Sequence, residues 1–261
     1  MRYVPPTAEE THSFQHSFGG NMRLAVISDI HGNLTALDAV IADLKQTTPD
    51  LVLHAGDLVA NGCRPLEVLD RIRSLGWNGV LGNTDEMLWA PERITEMKAR
   101  APKLRPLLDL FLESIVPATV ELIGPESLAW LRQLPKEWRI ESLLITHAAP
   151  GDLWQAPMPD ASDRDLLGTY SDLKAEIVVY GHIHRPYVRF LPSLTVANAG
   201  SVGLPYDGDT RASYVLIDNG KPNIRRVEYN LEREVVTLSG SGYPRACWLA
   251  EILRRGRYMV P

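Results

Sequence analysis

Five short apolar runs, each ending at a residue able to bind a metal ion, constrain this chain more than any other feature. Leu24–Ser28 runs into Asp29-Ile30-His31, Leu51–His54 into Gly56-Asp57, and Gly79–Leu81 into Gly82-Asn83. Leu143–Thr146 stops at His147, and Ile177–Tyr180 at Gly181-His182-Ile183-His184. Short apolar runs bounded by turn formers read as buried strands. Amphipathic stretches separate them. Leu34, Leu37, Ile41 and Leu44 recur at helical spacing, with Asp38 and Asp43 on the other face. Buried strands alternating with helices predict an α/β fold in which helices cover a sheet. In such a fold ligands bind beyond the carboxyl ends of the strands, so all five ends can meet on one rim.

The residues at these ends form a coherent donor set: Asp29, His31, Asp57, Asn83, His147, His182 and His184. They comprise two carboxylates, one amide and four imidazoles, with no thiolate. Seven donors exceed what one ion takes once water is added, whereas two ions sharing a carboxylate would use them all. The mixture of oxygen and imidazole suits Mn²⁺, Fe²⁺, Zn²⁺ or Ni²⁺ better than an all-oxygen Ca²⁺ or Mg²⁺ cage. The pairs Asp29/His31 and His182/His184, spaced at i, i+2, point the same way if the backbone stays extended. Gly32, Gly56, Gly82 and Gly181 allow close backbone approach.

The ordered series D-x-H, G-D, G-N, H and G-H-x-H resembles the calcineurin-like metallophosphoesterases, over most of the chain from Met22 to about Asp218. The segment Asn198–Tyr214 (NAGSVGLPYDGDTRASY) resembles the bacterial phosphodiesterase-like branch of that family. The resemblance implies an α/β sandwich of two sheets flanked by helices. It also implies that Asp29, His31 and His184 hold one metal, that Asn83, His147 and His182 hold the other, and that Asp57 bridges them. A hydroxide between the ions would then attack phosphorus in line. Asp57, Asn83 and His147 are the residues expected to carry the chemistry. Two departures from the family pattern narrow the activity. The usual G-N-H-[DE] here reads Gly82-Asn83-Thr84-Asp85, and a Thr hydroxyl cannot serve as a general acid near neutral pH. The D-R-G that follows G-D in protein Ser/Thr phosphatases and symmetrical dinucleoside tetraphosphatases is replaced by Ala60-Asn61-Gly62.

Two further residues are candidates for contacting substrate. Asn33 is placed either to meet a phosphate or to cap the helix beginning near Leu34. Arg211, with Asp207, either shapes the cleft or forms a surface ion pair. His54, three residues before Asp57 and off its pattern, reads as a strand residue facing away from the site.

The rest of the chain sets bounds. Residues 1–21 are polar, without the apolar stretch of a signal peptide, and are expected to be a flexible arm preceding one domain over residues 22–261. Residues from about 86 to 138 read as a helical insertion, broken at its prolines, that can cover the site. Further strands are expected at Ile140–Thr146, Leu194–Ala197 and Ser213–Asp218, and a last helix at Ala246–Arg255. No apolar run approaches the length of a membrane span. A net charge of −5 argues against long nucleic acids and anionic membranes as partners, and favours a small phosphate ester. Two cysteines make no disulfide framework, so a cytoplasmic location is expected. The reading is therefore a dinuclear metal-dependent phosphodiesterase. Its rivals are a non-enzymatic metal-binding scaffold of the same fold, and a nucleotide pyrophosphatase or nuclease.

Overall fold

Strand β1 (Leu24–Ile27) shows how the chain builds its layers. Its side chains alternate, so Leu24 and Val26 join the apolar cluster between two sheets while Ala25 and Ile27 join the one beneath the helices. The computed structural model describes residues 22–170 and 174–261; the expected N-terminal arm lies outside the described residues. Among these residues are two five-stranded sheets. The first has the order β10-β9-β1-β2-β3, from β2 (Leu51–His54), β3 (Asn78–Gly79), β9 (Ala212–Asp218) and β10 (Lys221–Val227). The second has the order β4-β5-β6-β8-β7, from β4 (Glu137–Ile140), β5 (Leu143–Thr146), β6 (Ile177–Tyr180), β7 (Tyr187–Phe190) and β8 (Thr195–Asn198). Leu53, Ile145, Val179, Ala197 and Val215 fill the layer between them. The chain therefore has the expected α/β sandwich of two sheets flanked by helices.

Helix α1 (Leu34–Thr47) buries Leu37, Val40, Ile41 and Leu44 on the outer face of the first sheet. Helix α2 (Pro65–Ser74) starts with Pro in its first turn, where no intrahelical partner for an N–H is lost. The one-turn α3 (Asn83–Glu86) follows β3 directly. The insertion then contributes α4 (Pro91–Arg100), α5 (Arg105–Leu110) and α6 (Val116–Leu131). A π turn at Phe111–Ile115 joins α5 to α6. Three of the six prolines expected to break these helices, Pro91, Pro106 and Pro117, instead sit in the first turns of α4, α5 and α6. The true kink is at Gly124-Pro125, where Gly124 has φ 69°. Helix α7 (Asp163–Tyr170) packs Leu166 and Tyr170 on the outer face of the second sheet. Helices α8 (Leu231–Gly240) and α9 (Ala246–Arg255) close the chain, the latter where expected.

One expected strand is two. Ile140 pairs with Leu143, so Glu141-Ser142 forms a tight turn with Glu141 at φ 49°, and the IESLLIT stretch is a hairpin. In β1–β2–β3 and β5–β6–β8 neighbours run parallel. The carboxyl ends of each set open on one rim, where the candidate donors lie.

Candidate metal centre

Past its last ladder residue, the loop after β1 stays attached to the loop after β2. Asp29 N–H donates to Gly56 O at 3.0 Å, His31 N–H to Asp57 O at 3.1 Å, and Gly32 N–H to Leu58 O at 2.9 Å. The backbone is not extended here, contrary to the geometry expected for the i, i+2 pairs. Asp29, His31, Asp57, His182 and His184 have φ of 54°, 50°, 56°, 67° and 55°. Left-handed residues turn the chain sharply, and the paired side chains converge because the loops curl around the site.

The seven predicted donors do come together. Among the described residues, Asp29, His31, Asp57 and His184 offer atoms all within 4.8 Å of one another. His31 Nε2 lies 3.1 Å from His184 Nε2 and 3.8 Å from Asp57 Oδ2, and His184 Nε2 lies 3.1 Å from Asp29 Oδ1. A second group adjoins it. His147 Nε2 is 2.8 Å from Asn83 Oδ1 and 3.3 Å from His182 Nδ1, which is 2.9 Å from Asn83 Oδ1. Asp57 faces both, with Oδ1 3.5 Å from His147 Nε2.

The far nitrogens of three rings are anchored on backbone carbonyls. His31 Nδ1 is 2.7 Å from Ala60 O, His147 Nδ1 is 2.7 Å from Ala55 O, and His184 Nδ1 meets Leu204 O. Each must donate to its carbonyl, which leaves the Nε2 lone pairs of His31 and His184 facing each other across 3.1 Å. His147 Nε2 faces Asn83 Oδ1 at 2.8 Å. Buried acceptors aimed at one another require a cation between or beside them, and carbonyl-anchored imidazoles are the usual second layer of a metal site. The residues thus fit divalent metal ions.

Electrostatics agree. Burial, with His184 second, pushes His31 down to about 4, and burial with His147 does the same to His182, so both rings are neutral at pH 7, the form that can bind a metal. Burial opposes ionisation of Asp29, but His184, His147 and His31 overcome it and hold the carboxyl well below the usual carboxylate range. His147 shifts the other way: burial disfavours its charge, and Asp57 and Asp29 outweigh it. The N–H groups of His182 and Thr84 fix the two carboxylates, donating to Asp29 Oδ2 at 3.0 Å and Asp57 Oδ1 at 2.9 Å. Two glycines admit these contacts. A Cβ on Gly82 would lie 2.1 Å from Asp57 Oδ1, and one on Gly181 2.4 Å from Asp29 Oδ2.

The substrate candidates fare differently. Asn33 Oδ1 accepts from Ala36 N–H at 3.0 Å and its amide donates to Gly203 O at 3.1 Å. It is the helix cap, with its polar atoms committed. Arg211 is bound to the Asp209 carboxylate, and Asp207 pairs with Arg226; neither lines the cavity above the donors. His54 is fully buried, outside the donor groups. Sequence reasoning missed Asp85, which is fully buried and accepts from the N–H groups of Leu58 and Gly82. Burial and the neighbouring Asp57 push its carboxyl up to about 7. It also missed Tyr206, whose ring stacks on His184 at 4.3 Å between centroids and 16° between planes. Only their position within recognised motif segments could have pointed to either.

A two-sheet sandwich with a buried Asp/His cluster at the strand ends defines a metallophosphoesterase. The sequence model of the calcineurin-like phosphoesterase superfamily domain matches residues 22–221, and the chain belongs to that family. It is a phosphoric ester hydrolase of the metal-dependent kind. An uncharacterised protein of Methanocaldococcus jannaschii is 31% identical over 257 residues, covering 90% of this chain and 98% of its own. A symmetrical bis(5'-nucleosyl)-tetraphosphatase of Cronobacter sakazakii is 33% identical over 150 residues, which span 56% of this chain but only 49% of that enzyme. The crystal structure of a metallophosphoesterase from Sphaerobacter thermophilus superposes with a TM-score of 0.72 at 26% identity, covering 90% of this chain and 99% of that one. Among the described residues, no helix is long and apolar enough to cross a membrane.

Proposed function

We propose that the chain is a two-metal phosphodiesterase acting on small esters. The observation that carries this reading is the placement of Asp57, whose Oδ2 faces His31 at 3.8 Å and whose Oδ1 faces His147 at 3.5 Å. One carboxylate between two donor groups is what a pair of ions sharing a ligand requires. Asp29, His31 and His184 would hold one ion, Asn83, His147 and His182 the other, with Mn²⁺, Fe²⁺, Zn²⁺ or Ni²⁺ suited to the donors. When bound, the ions supply a nucleophile at neutral pH and offset charge on the phosphoryl oxygens.

The chain's own groups do the positioning. The carbonyls of Ala60, Ala55 and Leu204 lock three imidazole tautomers, so the donors meet a substrate without rearranging. Thr84 Oγ1 is buried beside the donors with no hydrogen-bond partner, free to donate to a phosphoryl oxygen. Since that hydroxyl does not protonate a leaving group, esters of acidic alcohols, whose anions depart unaided, are the favoured substrates. The relative named for symmetrical tetraphosphate cleavage supports a small phosphorus substrate, but the D-R-G of that group is absent here. Two unpaired cysteines, Cys63 and Cys247, accord with a reducing cytoplasm.

The test combines elemental analysis with turnover of bis(p-nitrophenyl) phosphate. Two transition-metal ions per chain and metal-dependent turnover are expected, and Asp57→Asn should lose both. Turnover that survives Asp57→Asn, or persists after full chelation, overturns the reading.

A further inference from the structure

The donors form one side of a cavity of about 190 Å³ whose opposite wall is apolar. A water occupies about 30 Å³ in the liquid, so the space takes a phosphoryl group and something beyond it. The wall comes from parts of the chain that hold no donor. Met97, Leu104, Leu107 and Phe111 are brought by the insertion, Trp154 by the loop after β5, and Trp248 by α9. Leu104 is 40% exposed, an unusual position for a large apolar side chain, and it faces this cavity. Among the described residues no Lys or Arg lines the space, so there the cations facing a substrate would be the metals alone.

We propose that the site selects phosphodiesters with a single phosphate and a bulky apolar or aromatic ester group, and rejects polyphosphates. The inference rests on the phosphoesterase reading for its chemistry but not for its binding preference. A diester carries one negative charge, which the metal centre meets. Each further phosphate of a polyphosphate would be desolvated against Leu, Met and ring faces with no partner. In the adjoining cavity three cations, Arg93, Arg100 and Lys136, share the lining with three carboxylates, Glu86, Glu96 and Asp152, and Arg93 and Lys136 are already paired with Glu96 and Glu86. An aryl or long alkyl ester group, by contrast, removes apolar surface from water on both sides of the contact. Planar groups also find Trp154, Trp248 and Phe111 as ring partners.

Binding and turnover separate the two claims. Diphenylphosphinate and dimethylphosphinate are non-hydrolysable monoanions that differ only in apolar bulk; calorimetry on the Mn²⁺-loaded protein gives the affinity ratio. Diphenylphosphinate should bind roughly tenfold tighter or more. The double variant Leu104→Ser/Leu107→Ser, at positions that are not fully buried, should at least halve that ratio while leaving the melting temperature within a few degrees. In turnover, kcat/KM for bis(p-nitrophenyl) phosphate should exceed that for diadenosine tetraphosphate. Equal affinity for the two phosphinates, an unchanged ratio in the variant, or preferred cleavage of the tetraphosphate overturns the inference. A clear phosphinate preference without hydrolysis of any ester upholds it and refutes the phosphoesterase reading instead.

Discussion

Replacing Gly82 with Ala isolates the link between backbone approach and chemistry. Gly82 has φ −99°, which any residue adopts, so the substitution adds no backbone strain of its own. What it adds is a methyl group 2.1 Å from Asp57 Oδ1 and 2.2 Å from Asp57 N. Real contacts of this kind do not fall below 3.0 Å, so Asp57 or the Gly82 backbone must move by about 0.9 Å. Overpacking of this kind costs about 1–3 kcal/mol, which lowers the melting temperature by a few degrees in a domain of this size. The larger effect falls on turnover, because a displacement near 1 Å in a catalytic constellation costs on the order of 100-fold. Asp57 faces both donor groups, so its shift disturbs both at once. The assay is kcat/KM on bis(p-nitrophenyl) phosphate beside the melting temperature of the same preparation. Gly168→Ala serves as the control: it lies in α7 with nothing within 4 Å of an added Cβ. A Gly82→Ala protein within threefold of wild-type activity would refute the claim that this glycine exists to admit Asp57.

Gly168→Ala itself should stabilise the chain by about 0.5–1 kcal/mol, since Ala is the better helix former, read as a higher midpoint in urea. Stability should also fall on the acid side through His54. Burial pushes this histidine down to about 4, so it stays neutral in the fold while the unfolded chain gains a proton below the ordinary 6.5. Its contribution is complete above pH 6.5 and is lost as pH drops towards 4, by about 3 kcal/mol in all. Replacing it with Leu should flatten that part of a urea-midpoint profile, and an unchanged profile would contradict the assignment. Asn33→Ala should cost about 1 kcal/mol of stability by removing the cap of α1, with KM unmoved. A raised KM at unchanged stability would restore Asn33 as a substrate contact. Saturating Mn²⁺ should raise the melting temperature, each site adding about 2.7 kcal/mol at a hundredfold excess over its Kd, and a chelator should reverse the gain.

Four of the five strands carrying donors were legible because burial on both faces leaves continuous apolar runs, as in LAVI and IVVY; the third, expected at Gly79–Leu81, is only the two-residue Asn78–Gly79. Edge strands lack that signal. β10 reads KPNIRRV and β7 reads YVRF, both half solvated, and neither stood out from loop. The hairpin of β4 and β5 was hidden because IESLLIT stays mostly apolar across its turn, and Glu141-Ser142 is a weak turn signal. Helix α8 begins at an Asn230 cap that no strong apolar period announces. At the site, ordered motifs gave the donor residues but not their backbone. Spacing alone does not decide between the two readings of Arg211; in the structure Asp209, two residues away, holds its guanidinium.

The left-handed backbone at five of the seven candidate donors explains why so spread a set converges. An L-residue in that conformation costs about 1–2 kcal/mol, less for Asp. Across five residues the burden rivals the net stability of a whole domain, typically about 5–15 kcal/mol. It persists because the loops are tied to one another. Asp29 N–H and His31 N–H bond the neighbouring loop, Ser201 Oγ donates to Asp29 O at 2.6 Å, and Gly203 N–H donates to the same oxygen at 3.0 Å. The last two of these ties come from the segment after β8, Ser201 lying 172 residues beyond Asp29, so closing the second sheet onto the first is what holds the strained loop. Strain and fold are therefore coupled. Loosening the contact of Ser201 with Asp29 should free the donors to relax apart, weakening metal affinity before the sheets themselves melt. Ser201→Ala, compared by metal titration and by urea unfolding, separates these two effects. A loss of metal affinity no larger than the loss of global stability would show that the ties hold the fold alone, and that the donor geometry is not held under strain.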